Sequence, residues 1–165
     1  MTLNIGDKAP DFTLPVTGTD QNTDTLTLSD LKGQIVVLYF YPKDDTPGCT
    51  KQACGFRDNF NSLKAQNVTV LGLSKDSLKK HDKFREKFGL NFPLLSDEAL
   101  DTIKAYDCWK EKSMMGKKYM GIQRNTFLID QQGKIAKIWC DVKVDGHAEE
   151  VGQAAAELKN NAKAA

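Results

Sequence analysis

Apolar residues fall along this chain in three patterns, and each predicts a different element. Ile35 to Tyr41 is an unbroken run of β-formers, the signature of a central strand covered on both faces. Val68 to Ser74 repeats that pattern. Strict alternation over Asp11–Leu14, closed by Pro15, and again over Thr25–Leu28 predicts an N-terminal β-hairpin around the polar stretch Thr17–Thr23. Ser29 to Gly33 reads as a single turn stopped by glycine. Helical spacing appears in Thr50–Gln66, where Ala53, Phe56, Phe60 and Leu63 form one stripe. A charged helix is expected over Asp76–Phe88, ended by Gly89, and an amphipathic one from Gly146 to about Asn160. Phe92–Leu95 is a short strand and Asp101–Tyr106 a brief helix. Cys108–Gly121 reads as a basic loop rich in methionine and aromatics. Asn125–Asp130 and Lys134–Trp139 form a second hairpin about Gln131-Gln132-Gly133.

The order is hairpin, βαβα, hairpin, helix. A strand–helix–strand step implies a right-handed parallel crossover, and the late hairpin adds antiparallel strands. The expected fold class is α/β, a central mixed sheet with helices on both faces. In such sheets ligands sit at the carboxyl ends of strands. Cys49 lies just past the carboxyl end of the Ile35–Tyr41 run.

Composition narrows the picture. At 165 residues the chain is expected to be one domain, 1–165, able to bury its own core. A net charge of +1 gives no bulk attraction to nucleic acid or to a membrane surface. No apolar run approaches the roughly 20 residues of a spanning helix. The first residues show no signal-peptide pattern, so a cytoplasmic location is expected. In that compartment four cysteines point to free or redox-active thiols rather than a disulfide framework.

The candidate chemistry sits in Tyr39–Cys54, where a loop with Pro42, Pro47 and Gly48 hands Cys49 to a helix start. An ordinary thiol of pKa ~8.5 is only about 3% thiolate at pH 7. The positive end of a helix dipole and its free N–H groups favour thiolate. Moving such a thiol to about 6 gains roughly 30-fold in thiolate, or ~2 kcal/mol. Enzymes supply about 8 kcal/mol or more, so further donors are needed. The turn amides, the Thr46 hydroxyl and an arginine are the available ones. Cys54 follows five residues later. In an intact helix the two thiols would point ~140° apart with Cα atoms roughly 8–9 Å from one another. A disulfide needs about 7 Å or less, so joining them requires the helix to unwind locally.

The stretch Tyr41-Pro42-Lys43-Asp44-Asp45-Thr46-Pro47-Gly48-Cys49-Thr50 resembles the active stretch of the peroxiredoxins, and most closely the peroxiredoxin Q or bacterioferritin comigratory protein group. Gly6–Phe12, Phe92–Asp97, Trp109–Ser113, Gly121–Arg124 leading into Thr126–Asp130, and Gly146–Val151 extend the likeness over nearly the whole chain. The resemblance implies a thioredoxin-like fold and a thiol-dependent peroxidase without metal or prosthetic group, serving antioxidant defence. By that likeness Cys49 is the peroxidatic cysteine and Thr46 hydrogen-bonds thiolate and peroxide. Pro42 shields the site, Arg124 steadies the thiolate and polarises the peroxide, and Cys54 is the resolving cysteine. Hydrogen peroxide and organic hydroperoxides are the implied substrates. A Cys49–Cys54 disulfide would be recycled by thioredoxin, and the protein would be a monomer or weak homodimer.

Other residues read more plainly. Arg57 is expected to pair locally with Asp58 or Asp30, His81 to sit at the core boundary, and His147 to be solvated. Cys108, Met114, Met115, Tyr119 and Met120 are expected to pack their loop down, with a reductant-docking surface as the alternative. Cys140 reads as a bystander. A dithiol oxidoreductase would want Cys-x-x-Cys, a zinc module a second close cysteine pair, and a redox sensor the same Cys49 without turnover.

Overall fold

The structure, a computed structural model, describes residues 3–19 and 23–164, the side chains of 161–164 excepted. Residues 20–22, part of the expected Thr17–Thr23 turn, lie outside the described residues. Nine strands and four α-helices are described: β1 Thr13–Thr17, β2 Thr25–Thr27, β3 Ile35–Phe40, α1 Pro47–Ala65, β4 Val68–Ser74, α2 Leu78–Phe88, β5 Leu94–Ser96, α3 Asp101–Ala105, β6 Trp109–Met114, β7 Lys117–Ile122, β8 Asn125–Ile129, β9 Ile135–Trp139 and α4 His147–Ala164. Leu28–Leu31 forms the single turn, of 3-10 type.

Seven strands make one mixed sheet in the order β2-β1-β5-β4-β3-β8-β9. β3 runs parallel to β4 and antiparallel to β8, and β4 runs parallel to β5. The apolar run of β3 has the expected cause, since every one of its residues is buried. Alternation along the strand divides the core. Ile35, Val37 and Tyr39 pack with Ala53, Phe56 and Leu63 of α1 and with Val151 and Ala155 of α4. Val36, Leu38 and Phe40 face the other way, onto Leu71, Leu73, Phe127, Ile103 and Tyr106. Helices therefore cover both faces, as the fold class required.

Three expectations change. Pro15 does not close the first strand but lies within β1, opposite Thr25. Pairing with β5 begins only at Val16, so the missing proline N–H disrupts no ladder there. Cys108–Gly121 is not a loop: β6 and β7 form a separate antiparallel hairpin from Trp109↔Ile122 to Met114↔Lys117. Met115 and Gly116 turn it with φ of 52° and 81°, the two positive values a tight hairpin turn demands. The hairpin is also not packed down. Met114, Met115, Tyr119 and Met120 are exposed, Met115 almost completely, and only Cys108 of that group is buried.

Candidate active site

β3 ends at Phe40 and the chain loops through Tyr41–Thr46 into α1. Thr46 is the N-cap residue, with extended backbone, and Pro47 follows at the first helical position, where its fixed φ suits a helix start. Cys49 thus sits in the first turn. Thr50 N already donates to Thr46 O at 2.8 Å, and Pro47 has no N–H. Helix geometry therefore leaves the amides of Gly48 and Cys49 as the unpaired donors beside the thiol. Cys49 is buried, on the same face as Ala53 and Phe56.

Arg124 reaches the thiol from the short link between β7 and β8. Its backbone is fixed by Val142 N, which donates to Arg124 O at 2.8 Å. One guanidinium arm donates from Nη2 to Cys49 Sγ at 3.3 Å, and the other from Nη1 to Gln52 Oε1 at 2.6 Å. Gly48 makes room for this approach, since a Cβ there would stand 3.1 Å from Arg124 Nη2. Gln52 is a buried polar residue on the helix face that carries Cys49, and the sequence reading passed over it. Its signal was a glutamine three residues past the cysteine, one turn along the same face.

Thr46 is placed beside the site, but its hydroxyl donates to Lys43 O at 2.9 Å rather than toward sulfur. Pro42 and Arg124 line a cavity of about 320 Å³ together with Lys110, Glu111, Lys112, Gln123, Asp141 and Val142. Beneath the thiol, Tyr39 stacks on Phe56 with ring centroids 4.8 Å apart. Burial above all, and then the nearby Cys49 and Asp44, push the Tyr39 phenol far up, so it stays neutral.

All four cysteines are free thiols. Cys49 and Cys54 both lie within the continuous α1, so the helix holds them apart as the spacing required. Cys54 is half-buried and Cys140 exposed. Cys108 is buried, donates to Tyr106 O at 3.4 Å and accepts from Asn125 Nδ2 at 3.4 Å. Burial pushes its pKa far up, the mark of an inert thiol. Among the described residues no group of three or more His, Cys, Asp or Glu could hold a metal ion.

Both histidines differ from the sequence reading. His147 is not solvated but buried, its Nε2 2.8 Å from Thr126 Oγ1 and its ring edge-on to Phe56 and Trp139. His81 is fully buried, not at the boundary. Its Nδ1 lies 2.6 Å from Asp44 Oδ2 and its Nε2 2.8 Å from Leu95 O. Asp44 belongs to the active loop, so this contact ties α2 to that loop. Arg57 pairs with Asp58 at 2.9 Å, one of its two expected partners, and also donates to Phe88 O.

The sequence matches the AhpC/TSA family over residues 5–138. Peroxiredoxin Bcp of Bacillus subtilis is 49% identical over 93% of this chain and 95% of its own. Peroxiredoxin Bcp of Escherichia coli K12 is 50% identical over 88% and 90%. Among solved structures, peroxiredoxin Q of Xanthomonas campestris superposes with a TM-score of 0.83 at 39% identity, covering 90% of this chain and 91% of its own. A cysteine-to-serine mutant of Xylella fastidiosa peroxiredoxin Q reaches 0.86 at 42%, covering 98% and 99%. A Xanthomonas campestris bacterioferritin comigratory protein, described by its alkyl peroxide reduction activity, is 38% identical over 90% of this chain and 92% of its own, with a TM-score of 0.83. No helix among the described residues is long and apolar enough to cross a membrane. The mixed sheet, the thiol at the start of α1 and these relatives agree: the chain belongs to the AhpC/TSA family and, within it, to the peroxiredoxins of the Bcp and Q group.

Proposed function

We propose that Cys49 is the attacking thiol of this peroxidase and Cys54 the thiol that resolves it. The observation that carries the reading is the Arg124 fork, which joins Cys49 Sγ to Gln52 Oε1 over the first turn of α1. The Cys49 thiolate attacks one peroxide oxygen. The O–O bond breaks, the second oxygen leaves as water or alcohol after taking a proton, and sulfur becomes sulfenic acid. Arg124 and the Gly48 and Cys49 amides are aimed at the place where negative charge moves from sulfur to the leaving oxygen. Gln52 positions Arg124. Pro42 lines the cavity, where its ring shields the site from water. Thr46 must turn its hydroxyl away from Lys43 O to serve the peroxide.

Resolution follows when the first turns of α1 unwind. The Cys54 thiolate displaces hydroxide from the Cys49 sulfenic acid, giving a disulfide and water once a proton is taken up. A thioredoxin-like dithiol reduces that disulfide by exchange, thioredoxin itself being the reductant we infer. We assign hydrogen peroxide and organic hydroperoxides as substrates, in keeping with the alkyl peroxide reduction of the Xanthomonas relative. One domain, a cytoplasmic location and a monomer or weak homodimer complete the reading.

The test is peroxide consumption coupled to thioredoxin and its reductase, with mass mapping of the disulfide. Cys49→Ser is expected to abolish turnover. Cys54→Ser is expected to permit one oxidation per chain but to stall the coupled cycle. Full turnover by the Cys49→Ser protein would sink the assignment.

A further inference from the structure

The β6–β7 hairpin leaves four large apolar side chains in water beside the active site. Met114, Met115, Tyr119 and Met120 are exposed, Met115 at 97%, and of the large exposed apolar residues described only Ile5 lies elsewhere. The hairpin pairs with no other strand, so no neighbouring sheet covers it. Grouped apolar residues with polar ones around them mark an interaction surface. Methionine suits such a surface because its unbranched thioether adapts to what it meets. Charge is concentrated there too. Trp109–Ile122 carries four lysines against one glutamate, in a chain whose net charge is +1. Opposite residues of an antiparallel pair share a face, so the register puts Lys110, Lys112, Met114, Lys117 and Tyr119 on one side. Glu111, Lys118 and Met120 lie on the other, where Glu111 and Lys118 balance one another at 3.8 Å. On the first side Lys110 pairs with Asp107 at 2.9 Å, and no carboxylate of the hairpin faces Lys112 or Lys117.

This basic and apolar side is continuous with the reacting thiol. Lys110 and Lys112 line the same cavity as Pro42 and Arg124. The Lys112 ammonium lies near enough to Cys49 and Arg124 for both to act on its pKa. The cycle brings one macromolecule to this place, because a disulfide formed at the start of α1 must be reduced by thiols from outside. A second copy docking through the same hairpin would set lysine against lysine, whereas an acidic partner is drawn in. We propose that the Lys112, Met114, Lys117 and Tyr119 side of the hairpin, with Met115 at its tip, is the docking surface for the dithiol protein that reduces this enzyme. The partner it fits carries its reactive thiol in an apolar patch with carboxylates at the rim. The inference rests on the peroxidase reading above and adds where the reductant binds and by what chemistry. Once docked, the partner's thiolate attacks one sulfur of the Cys49–Cys54 disulfide and forms a mixed disulfide. The partner's second thiol then displaces it. Two electrons pass to Cys49 and Cys54, which take up protons as thiols, and the partner leaves as its own disulfide.

Two reductants test it: thioredoxin with its reductase, and dithiothreitol, a dithiol too small to need a docking surface. The variants are Lys117→Glu, Lys117→Arg and the double variant Met114→Ser/Met115→Ser, all at exposed positions. Lys117→Glu and the methionine variant are each expected to raise the KM for thioredoxin by about tenfold at low salt, with Lys117→Arg close to wild type. Turnover with dithiothreitol and the single oxidation of Cys49 by peroxide are expected to stay unchanged. Salt is expected to raise the wild-type KM for thioredoxin, and to raise that of Lys117→Glu less. An unmoved KM, an equal loss with both reductants, or a wild type served by dithiothreitol but not by thioredoxin overturns the inference and leaves the peroxidase reading standing. So does an unmoved KM in variants that lose a wild-type dimer in sedimentation, or lose wild-type binding to phosphatidylglycerol vesicles; the surface then belongs to a second copy or to a membrane. A wild type that consumes peroxide with neither reductant overturns both.

Discussion

Replacing His81 measures how the active loop is held from below. A backbone carbonyl only accepts, so the 2.8 Å contact to Leu95 O puts a hydrogen on Nε2. The 2.6 Å contact between Nδ1 and Asp44 Oδ2 needs a second hydrogen, carried by one partner or the other. Asp44 Oδ1 is meanwhile occupied by the Tyr41 hydroxyl at 2.6 Å, and Asp44 N donates to Asp76 Oδ2 at 2.8 Å. All four side chains are buried. His81→Leu keeps the volume but strips Asp44 of its partner, and breaking a buried pair in this way costs about 3–5 kcal/mol. Asp44→Asn is a control with a different sign of argument. Its amide can donate to Nδ1 of a neutral ring while its oxygen still accepts from Tyr41 and Nε2 still reaches Leu95. Every contact survives, and the cost is about 1 kcal/mol, the scale of one ordinary hydrogen bond. The double variant loses the buried carboxylate along with the ring, so it is expected to cost less than His81→Leu alone. Urea unfolding of the reduced protein reads all three, as a shift in midpoint at constant m. Peroxidase kcat/KM should fall in the same order, because Asp44 leads directly into Thr46 and α1. Equal costs for His81→Leu and Asp44→Asn, or a His81→Leu cost below about 1 kcal/mol, would refute the reasoning.

Two further outcomes follow from the buried groups. In a Cys49→Ser/Cys54→Ser background, a thiol reagent is expected to label exposed Cys140 at once and Cys108 only on unfolding, because burial disfavours the Cys108 thiolate; equal labelling rates in the native protein would contradict this. Burial holds the His147 pKa below its usual range, with Arg124 adding to the effect and Glu150 opposing it. The unfolded chain takes up that proton near pH 6.5 and the folded chain only lower, so stability is lost as pH falls below about 6.5. His147→Gln, which cannot titrate, is expected to flatten the change in urea midpoint between pH 7.5 and 5.5; an unaltered slope would count against it.

The parts legible in the sequence were those whose side chains face a core. β3 announced itself because its neighbours cover both of its faces, and α1 because Ala53, Phe56 and Leu63 must meet β3 and β4. The β6–β7 hairpin stayed hidden for the opposite reason. Its outer residues are exposed on both sides, so lysines interrupt the alternation, and its turn uses Met115-Gly116 without the asparagine or aspartate that usually marks one. The site divided along similar lines. Cys49, Thr46 and Pro42 stood together in one stretch, but Arg124 is far away in sequence and was reached only through the family likeness. Asp44 gave no local sign, since what marks it is the partner it holds, and Gln52 gave only its place one turn past Cys49 on the same helix face. His147 was misread because a helix start is usually wet, whereas this one is pressed onto Thr126 and Trp139.

The distribution of burial along α1 also bears on how one helix can both hold a thiol and release it. The large anchors, Phe56 and Leu63, lie beyond Cys54, and burying each is worth about 1.5–3 kcal/mol. Gly55 comes close to α4, since a Cβ there would stand 3.2 Å from Ala148 Cβ. The turns before Cys54 bury only Cys49, Gln52 and Ala53 and are otherwise tied by polar contacts. Those contacts are Arg124 to Cys49 and Gln52, and the exposed Lys51–Asp145 ion pair. An exposed pair contributes about 1 kcal/mol or less, so Arg124 is the principal tie. In the proposed cycle the tie weakens when it should. Arg124 binds a thiolate more strongly than the neutral sulfenic acid that replaces it, because the ion–ion attraction between guanidinium and thiolate is lost when the sulfur becomes neutral. Oxidation of Cys49 therefore loosens the segment that must unwind for Cys54 to reach it, while Phe56 and Leu63 keep the rest of α1 on the sheet.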